Sequence, residues 1–237
     1  MKVIIAGYGR MGHIIEDILL ERGQEVVGTI DIGMTEVLDG DKIADVLMDF
    51  SNPSLTADLV AYVRRTKTAY LSGTTNLTEE QLDSIKALGD VIPCISTSNY
   101  SLGVALFKHV LGEVTRTLDG WDVEITETHH NKKVDAPSGT AKDLLKAVQD
   151  AREESGEVIY GREGECGART ADEIGMHSLR GGTVAGEHTV AYYGNDEIFE
   201  IKHTALSRKI FAEGAVKAAE KLVEMKPGFY TMEDILF

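Results

Sequence analysis

The first stretch of the chain, KVIIAGYGRMGHIIEDILLERGQEVVGTID from Lys2 to Asp31, decides the fold. It consists of an apolar run, a glycine-rich turn, a run with the apolar spacing of an amphipathic helix, and a second apolar run. This order predicts a strand, a helix and a second, parallel strand. The turn carries Gly7, Gly9 and Gly12 in the pattern G-x-G-x-x-G, directly after the strand and directly before the helix.

In this context the glycine pattern predicts a dinucleotide-binding turn. Gly7 allows the tight turn, Gly9 lets a pyrophosphate approach the backbone, and Gly12 lets helix and strand pack closely. Asp31 follows at the end of the second strand, about 20 residues further on, where a carboxylate meets the ribose 2′-OH of an adenosine. A purely structural glycine turn is the alternative.

Asp31 also bears on the choice of cofactor. A carboxylate at this position repels a 2′-phosphate, and the residues that follow, Ile32 to Thr35, supply no arginine or lysine to hold one. NADH is therefore favoured over NADPH. Arg10, or a side chain from elsewhere in the chain, remains an alternative partner for the phosphate.

The alternation of strands and helices continues to about Asn99 and predicts an α/β fold, with a Rossmann-type doubly wound parallel sheet in the first domain. After Asn99 this regular alternation of strands and helices ends. A helix, the run WDVEITETHH and three later strand-like runs predict an α+β domain with a mixed or antiparallel sheet. A glycine- and charge-rich stretch from Ser155 to Asp172 interrupts it, and the last helix, roughly Lys209 to Glu224, has an alanine-rich face suited to close packing.

Composition excludes several classes of protein. With 237 residues and a formal net charge of -15, the chain lacks the broad basic face that nucleic-acid binding requires. No apolar run is long enough to span a bilayer, and the N-terminus has no signal-peptide pattern, which favours a cytoplasmic protein. Cys94 and Cys166 lie far apart, as expected in a reducing compartment. No spacing of ligand residues resembles a metal site.

A second stretch, THHNKKVDAPSGTA from Thr128 to Ala141, gathers four basic side chains in front of a predicted helix start. Backbone N–H groups at Ser138-Gly139-Thr140, with the helix dipole, favour an anion such as a carboxylate. Lys133 adds charge, and His129 or His130 is suited to exchange a proton near neutral pH. The simpler alternative is a solvated polar loop followed by an ordinary helix cap.

This stretch resembles the signature of the 4-hydroxy-tetrahydrodipicolinate reductases, the dihydrodipicolinate reductases of bacterial and plant lysine biosynthesis. The similarity lies in E-x-H-H-x-x-K-x-D-x-P-S-G-T-A, from Glu127 to Ala141. It extends over nearly the whole chain, through GYGRMG, SGTTN, SNYS, EIGMHSLRGGTVAGEHTV and EIKHTALSRKIFAEGAV.

The resemblance implies a two-domain, usually tetrameric enzyme that uses NADH or NADPH to reduce a cyclic dicarboxylate to tetrahydrodipicolinate, with loss of water. His129 resembles the catalytic proton donor and acceptor, and Lys133 the second catalytic donor. The residues that resemble the substrate-carboxylate site are His130, Gly139 and Thr140. Those that match cofactor contacts are Gly7, Tyr8, Gly9, Arg10, Met11, Gly12, Asp31, Gly73, Thr74, Thr75, Thr97, Ser98, Asn99 and Tyr100.

The same resemblance predicts the domain boundaries. Residues 1–100 and 211–237 would form the dinucleotide-binding domain, and residues 101–210 the substrate-binding and oligomerisation domain. Two other functions remain open: another two-domain NAD(P)-dependent amino or keto acid dehydrogenase, and a non-catalytic NADH-binding sensor. His177, His188 and His203 are interpreted as structural, and the roles of Arg162, Arg169 and Arg180 are left open.

Overall fold

The computed structural model describes residues 1–152 and 156–237. In chain order the elements are β1 (Lys2–Ala6), α1 (Arg10–Glu21), β2 (Glu25–Ile30), β3 (Val46–Asp49), α2 (Thr56–Thr66), β4 (Ala69–Ser72), α3 (Glu79–Lys86), β5 (Pro93–Ser96), α4 (Leu102–Thr117), β6 (Asp122–His129), α5 (Gly139–Ala151), β7 (Val158–Ile159), β8 (Ile174–Arg180), β9 (Gly186–Tyr193), β10 (Ile198–Ala205), α6 (Lys209–Leu222), β11 (Gly228–Tyr230) and α7 (Met232–Leu236). Short 3-10 helices lie at Glu36–Asp39, Pro53–Leu55 and Ala87–Asp90. The chain divides into two compact units, Met1–Leu102 with Lys209–Phe237, and Gly103–Arg208.

The first unit is built on a six-stranded sheet in the order β11-β5-β4-β3-β1-β2. Every neighbouring pair is parallel, so the carboxyl ends of all its strands lie along one edge. The strand order reverses between β1 and β3, which is where ligands bind in open parallel sheets. Its strands are continuous apolar runs such as VIIA in β1, because helices cover both faces.

The second unit holds a five-stranded mixed sheet in the order β10-β9-β6-β8-β7. Its central strand, β6, pairs parallel with β8 and antiparallel with β9. Side chains alternate between the two faces of a strand, so Val123, Ile125 and Glu127 share one face of β6 and Glu124 lies on the other. The first of these faces packs against residues of α4 and α5, such as Phe107 and Leu144.

The predicted fold class is confirmed: the first sheet is parallel and doubly wound, and the second is mixed. Several elements differ in detail. β11 and α7 were not predicted, because three residues of strand and five of helix are too short to show a period. β7 lies within the stretch predicted as irregular, of which Ser155 falls outside the described residues. Among the described residues, no helix is long and apolar enough to cross a membrane.

The last long helix, α6, belongs to the first unit. Its alanine-rich face is buried, with Ala212, Ala215 and Ala218 fully covered. At the edge of its contact with α1, Arg22 forms ion pairs with Glu213 at 2.6 Å and Glu220 at 3.1 Å. These exposed pairs contribute little to stability.

Candidate active site

The glycine turn after β1 has the geometry that a dinucleotide requires. Gly7 has φ +88°, and a Cβ there would strike the carbonyl group of Phe50. A Cβ on Gly12 would strike the carbonyl oxygen of Gly7, so α1 approaches the turn closely only because Gly12 has no side chain. Gly9 differs, since its Cβ would meet no atom within 4 Å. The turn is therefore closed on its protein side and open at Gly9, where a phosphate would approach.

Asp31 lies beside this turn. One carboxylate oxygen accepts the N–H of Tyr8 at 3.1 Å, and the other accepts the N–H of Ile32 at 2.8 Å. Each oxygen keeps a further lone pair, so the carboxylate can also accept ribose hydroxyls. The Tyr8 hydroxyl donates to Glu16, which fixes the ring on α1. Arg10 is exposed at the first position of α1.

Sequence reasoning missed Asp49, which organises the loops after β3 and β4. This buried carboxylate accepts hydrogen bonds from four hydroxyl groups, with donors at 2.5 to 3.1 Å: Ser51, Tyr70, Ser72 and Thr74. Gly73 is fixed as well, because its N–H donates to the Asp49 carbonyl at 2.7 Å. Asp49 therefore sets the path of the segment Gly73 to Thr75, while Thr75 itself is exposed.

The loop after β5 is fixed on the same edge of the sheet. The buried Tyr100 hydroxyl donates to the Ser72 carbonyl at 2.7 Å, and the Thr97 N–H donates to the same oxygen at 3.0 Å. The Thr97 hydroxyl accepts the Asn99 N–H at 3.2 Å, and Ser98 is exposed. All the predicted cofactor residues thus follow the carboxyl ends of β1, β2, β4 and β5, along one edge of the first sheet.

In the second unit, the end of β6 places Glu127 and His129 on one face. Glu127 is fully buried, and its Oε2 lies 2.5 Å from Nδ1 of His129. Burial alone would raise the pKa of Glu127, but hydrogen bonds from Arg180, Ser178 and His129 lower it to about 2. The carboxylate is therefore ionised and only accepts, so Nδ1 of His129 carries a proton and Nε2 is left for exchange.

Arg180 is the main counter-ion of Glu127. Its two terminal nitrogens donate to the two carboxylate oxygens at 2.9 and 2.7 Å, a bidentate arrangement. Nη2 also donates to the Asp135 carbonyl at 2.7 Å. The role of Arg180, open from the sequence, is thus to neutralise Glu127 and to tie the loop before α5 to the sheet. Arg162 and Arg169 instead pair with Glu124, on the other face of β6.

The start of α5 is built around Ser138. Its hydroxyl oxygen accepts the Ala141 N–H at 3.2 Å, and its own N–H donates to Glu127 at 3.2 Å. The helix therefore begins at Gly139, because Ser138 acts as the N-cap. A Cβ on Gly139 would meet no atom within 4 Å, so the space beside the first turn is open. Thr140 is the second residue of this turn.

Lys133 lies in the loop between His129 and Ser138. Its Nζ contacts both carboxylate oxygens of Asp135, at 2.7 and 2.9 Å, and this contact lowers the pKa of Asp135. Lys133 is only partly exposed, whereas Asp135 is open to solvent. His130, also partly exposed, accepts the Lys133 N–H through its carbonyl at 3.1 Å. The loop thus holds two cationic or protonatable groups near the helix start.

Another histidine, interpreted as structural from the sequence, lies in this site. His188 of β9 is 4% exposed, and its Nε2 lies 3.0 Å from the Ser138 hydroxyl oxygen. Its ring stands edge-on to that of His129, with ring centres 5.3 Å apart. Two residues earlier, Gly186 leaves space: a Cβ there would lie 3.1 Å from Nε2 of His129. A larger residue at position 186 would therefore crowd the nitrogen that is left for proton exchange.

The site combines an oriented imidazole, a lysine and a capped helix start, and the other unit carries a dinucleotide turn. Among the described residues, no group of three or more His, Cys, Asp or Glu side chains is arranged to hold a metal ion. A dinucleotide-type turn in one unit, with an oriented imidazole, a lysine and a helix start in the other, is the combination expected of an NAD(P)-dependent reductase of an anionic substrate.

Comparisons with known proteins agree with this class. The family patterns described as "Dihydrodipicolinate reductase, N-terminus" and "Dihydrodipicolinate reductase, C-terminus" match residues 1–100 and 103–236. The chain belongs to the dihydrodipicolinate reductase family, whose members are NAD(P)H-dependent oxidoreductases.

Curated relatives are similar over nearly their full length. The chain is 42% identical to the 4-hydroxy-tetrahydrodipicolinate reductase of Exiguobacterium sibiricum, over 99% of this chain and 96% of the relative. It is 40% identical to the enzyme of the same name from Brachyspira hyodysenteriae, over 100% of both chains. A solved dihydrodipicolinate reductase with bound dipicolinate, from Paenisporosarcina sp. TG-14, shares the fold with a TM-score of 0.75 and 23% identity, over 100% of this chain and 99% of that one.

Proposed function

We propose that this chain reduces 4-hydroxy-tetrahydrodipicolinate to tetrahydrodipicolinate, with loss of water, in diaminopimelate and lysine biosynthesis. This is the activity for which its relatives are named. The mechanism rests on one observation: the buried carboxylate of Glu127 binds both His129 and the N–H of the helix cap Ser138. A proton donor and an anion site are thereby held at a fixed distance, as reduction of an electron-poor ring requires.

In the proposed mechanism, a reduced nicotinamide, when bound, would supply the hydride for C4 of the conjugated ring that forms when the substrate loses its 4-hydroxyl group as water. His129, protonated on both nitrogens, donates the Nε2 proton to the neighbouring ring carbon and keeps its Nδ1–H on Glu127. Lys133 leaves Asp135 to pair with a ring carboxylate, and the first turn of α5 receives that carboxylate at Gly139 and Thr140. His130 assists at the same carboxylate site.

The residues of the first unit fit a dinucleotide. Gly9 provides the open approach, Gly7 and Gly12 the close packing, and Asp31 the carboxylate for the ribose. We propose that NADH is preferred over NADPH, since Asp31 would repel a 2′-phosphate. Tyr8, Arg10, Met11 and the segments 73–75 and 97–100 are proposed as the remaining cofactor contacts.

A coupled assay tests the reaction. The substrate is generated in place by its synthase from pyruvate and aspartate semialdehyde, and oxidation of NADH or NADPH is followed by absorbance. Oxidation that needs both this chain and the synthase product supports the proposal, and the ratio of the two rates tests the role of Asp31. Folded protein that binds NADH without oxidising it would favour another dehydrogenase or a sensor. Dipicolinate, a planar analogue of the ring, is expected to bind and inhibit.

We expect Gly9→Ala to weaken NADH binding by about tenfold without loss of stability, because its Cβ enters only the space for the pyrophosphate. Backbone angles of φ −92° and ψ −154° at Gly9 suit alanine. Gly12→Ala should instead lower the melting temperature, since its Cβ strikes the Gly7 carbonyl. Gly40→Ala, with a nearest contact of 3.5 Å, is the matched control. Unchanged NADH affinity in Gly9→Ala, measured by fluorescence titration, would contradict the assignment.

We propose further that the chain forms a homotetramer in the cytoplasm. The resemblance supports the tetramer, together with apolar side chains exposed on the face of the second sheet opposite its helices, at Leu179, Tyr193 and Ile198. The two cysteines, which form no disulfide, support a reducing compartment. Light scattering should give a mass four times that of the 25.8 kDa chain. A monomeric mass at micromolar concentration would contradict the proposal.

A further inference from the structure

His188 lies at the centre of the second unit's site, although nothing in the proposed mechanism uses it. In the strand register it is paired with Glu127 of β6 on one side and with His203 of β10 on the other. It is 4% exposed, and all three side chains extend from the same face of the sheet. The residue therefore occupies a buried position directly beside the dyad of Glu127 and His129.

The polar contact of His188 is with the helix cap. Nε2 lies 3.0 Å from the Ser138 hydroxyl oxygen, which already accepts the Ala141 N–H. The Ser138 hydroxyl proton is therefore available for Nε2 of a neutral His188. The Ser138 N–H donates to Glu127 and the Ser138 hydroxyl contacts His188, so two of the three polar groups of this residue are held by side chains of the site. The direction of the first turn of α5 then depends on His188.

A packing role alone does not explain a histidine at this position. Within the part of the chain that the structure describes, Nδ1 of His188 is buried and has no hydrogen-bond partner. A buried ring nitrogen without a partner is destabilising, and an apolar aromatic ring such as that of phenylalanine would avoid that penalty. Buried polar atoms without partners are rare and are expected at functional sites. Here Nε2, which contacts Ser138, is the nitrogen that the site requires.

Its surroundings hold His188 in the neutral form. Burial, followed by the charge of His129, lowers the pKa of His188 to about 4, so His188 is neutral near pH 7. The charged or titratable groups that act on it are Glu127, His129, His203 and Lys133. A neutral ring edge-on to His129 supports that imidazole without competing for its proton.

We propose that His188 is a positioning residue of the substrate-carboxylate site, which holds the Ser138 hydroxyl and supports the ring of His129. The proposal rests on the proposed function, because it assumes that the start of α5 binds a carboxylate of the substrate. It does not require His188 to touch the substrate or the cofactor.

The test is a double-mutant cycle read by calorimetric binding of dipicolinate. We expect His188→Phe to weaken dipicolinate by about tenfold, the loss of one buried hydrogen bond, with NADH affinity unchanged and the melting temperature not lowered. His188→Gln, whose amide reaches the position of Nε2, should bind within about twofold of wild type. His188→Phe combined with Ser138→Ala should bind no more weakly than Ser138→Ala alone, because both changes remove the same contact.

Three results would overturn the proposal: wild-type affinity in His188→Phe, additive losses in the double variant, or no binding of dipicolinate by the wild-type chain. If His188→Phe does not fold, His188→Asn replaces it in the cycle, since its shorter amide does not reach Ser138. Turnover of the wild-type chain is measured separately. A chain that shows the expected dipicolinate pattern but no turnover would refute the proposed function and leave the role of His188 intact.

Discussion

His129→Gln should lower kcat by a factor on the order of 10² to 10⁴, the contribution of a positioned proton donor. The glutamine amide lies near the position of Nε2, but an amide cannot transfer a proton there. The affinity for NADH should stay at the wild-type value, because the predicted cofactor residues belong to the other unit. Steady-state rates in the coupled assay, together with an NADH titration, measure both quantities.

His130→Gln is the matched control for this change. It makes the same substitution at the neighbouring position, which has a proposed role in binding a carboxylate rather than in proton transfer. We expect it to raise KM for the substrate more than it lowers kcat. Equal losses of turnover and NADH affinity in His129→Gln would reject its assignment as the proton donor, and so would equal kcat values in the two variants.

The sequence predicted those parts of the site that depend on local pattern. The turn from Gly7 to Gly12 was recognisable because strand, glycines and helix follow one another directly. The stretch from His129 to Thr140 was recognisable as a loop before a helix start with basic side chains. Its Ser138 was visible as a cap, and the helix begins directly after it, at Gly139.

The sequence did not show the contacts that join distant strands. Arg180 lies 53 residues from Glu127, and His188 lies 50 residues from Ser138. Only the pairing of β6 with β8 and β9 brings these side chains together, and strand pairing between distant segments leaves no local period. One signal was available: Glu127 and His129 are two residues apart on a strand, so they share a face. Asp49 gave no comparable signal.

The contact between Arg180 and Glu127 also explains how so acidic a chain would bind a dicarboxylate. The net charge of -15 opposes the approach of an anion. At the site, however, Arg180 neutralises the buried Glu127, so the start of α5, together with Lys133 once it leaves Asp135, would present positive potential to the substrate. Salt screens charges that lie more than about a Debye length away, so the groups at the site determine the potential that the substrate meets more than the distant surface does.

Glu127→Gln should lower kcat by roughly 10²-fold and destabilise the fold by about 3 kcal/mol. The amide leaves Arg180 without its bidentate partner inside the protein, and it no longer fixes the tautomer of His129. The proton would then reside on either ring nitrogen, and the ring would lose its fixed orientation. Denaturant unfolding and steady-state kinetics at neutral pH measure the two effects.

The pH dependence of stability gives a separate test of Glu127. Its pKa is lowered from 4.5 to about 2 in the fold, against the effect of burial, by hydrogen bonds from Arg180, Ser178 and His129. A lowered pKa means that the carboxylate stabilises the fold fully above pH 4.5, and that this contribution is lost as the pH falls towards 2. The difference in unfolding free energy between wild type and Glu127→Gln should therefore shrink over this window.

Glu124→Gln is the matched control, since it changes the same residue type on the same strand. Glu124 also pairs with arginines, Arg162 and Arg169, but it faces away from His129. We expect this variant to lose some stability and to keep kcat within about twofold of wild type, because no hydrogen bond of the site depends on it. A loss of kcat in Glu124→Gln as large as that in Glu127→Gln would show that the effect arises from general disturbance of β6. If only Glu127→Gln loses turnover, the buried carboxylate acts through the orientation of His129.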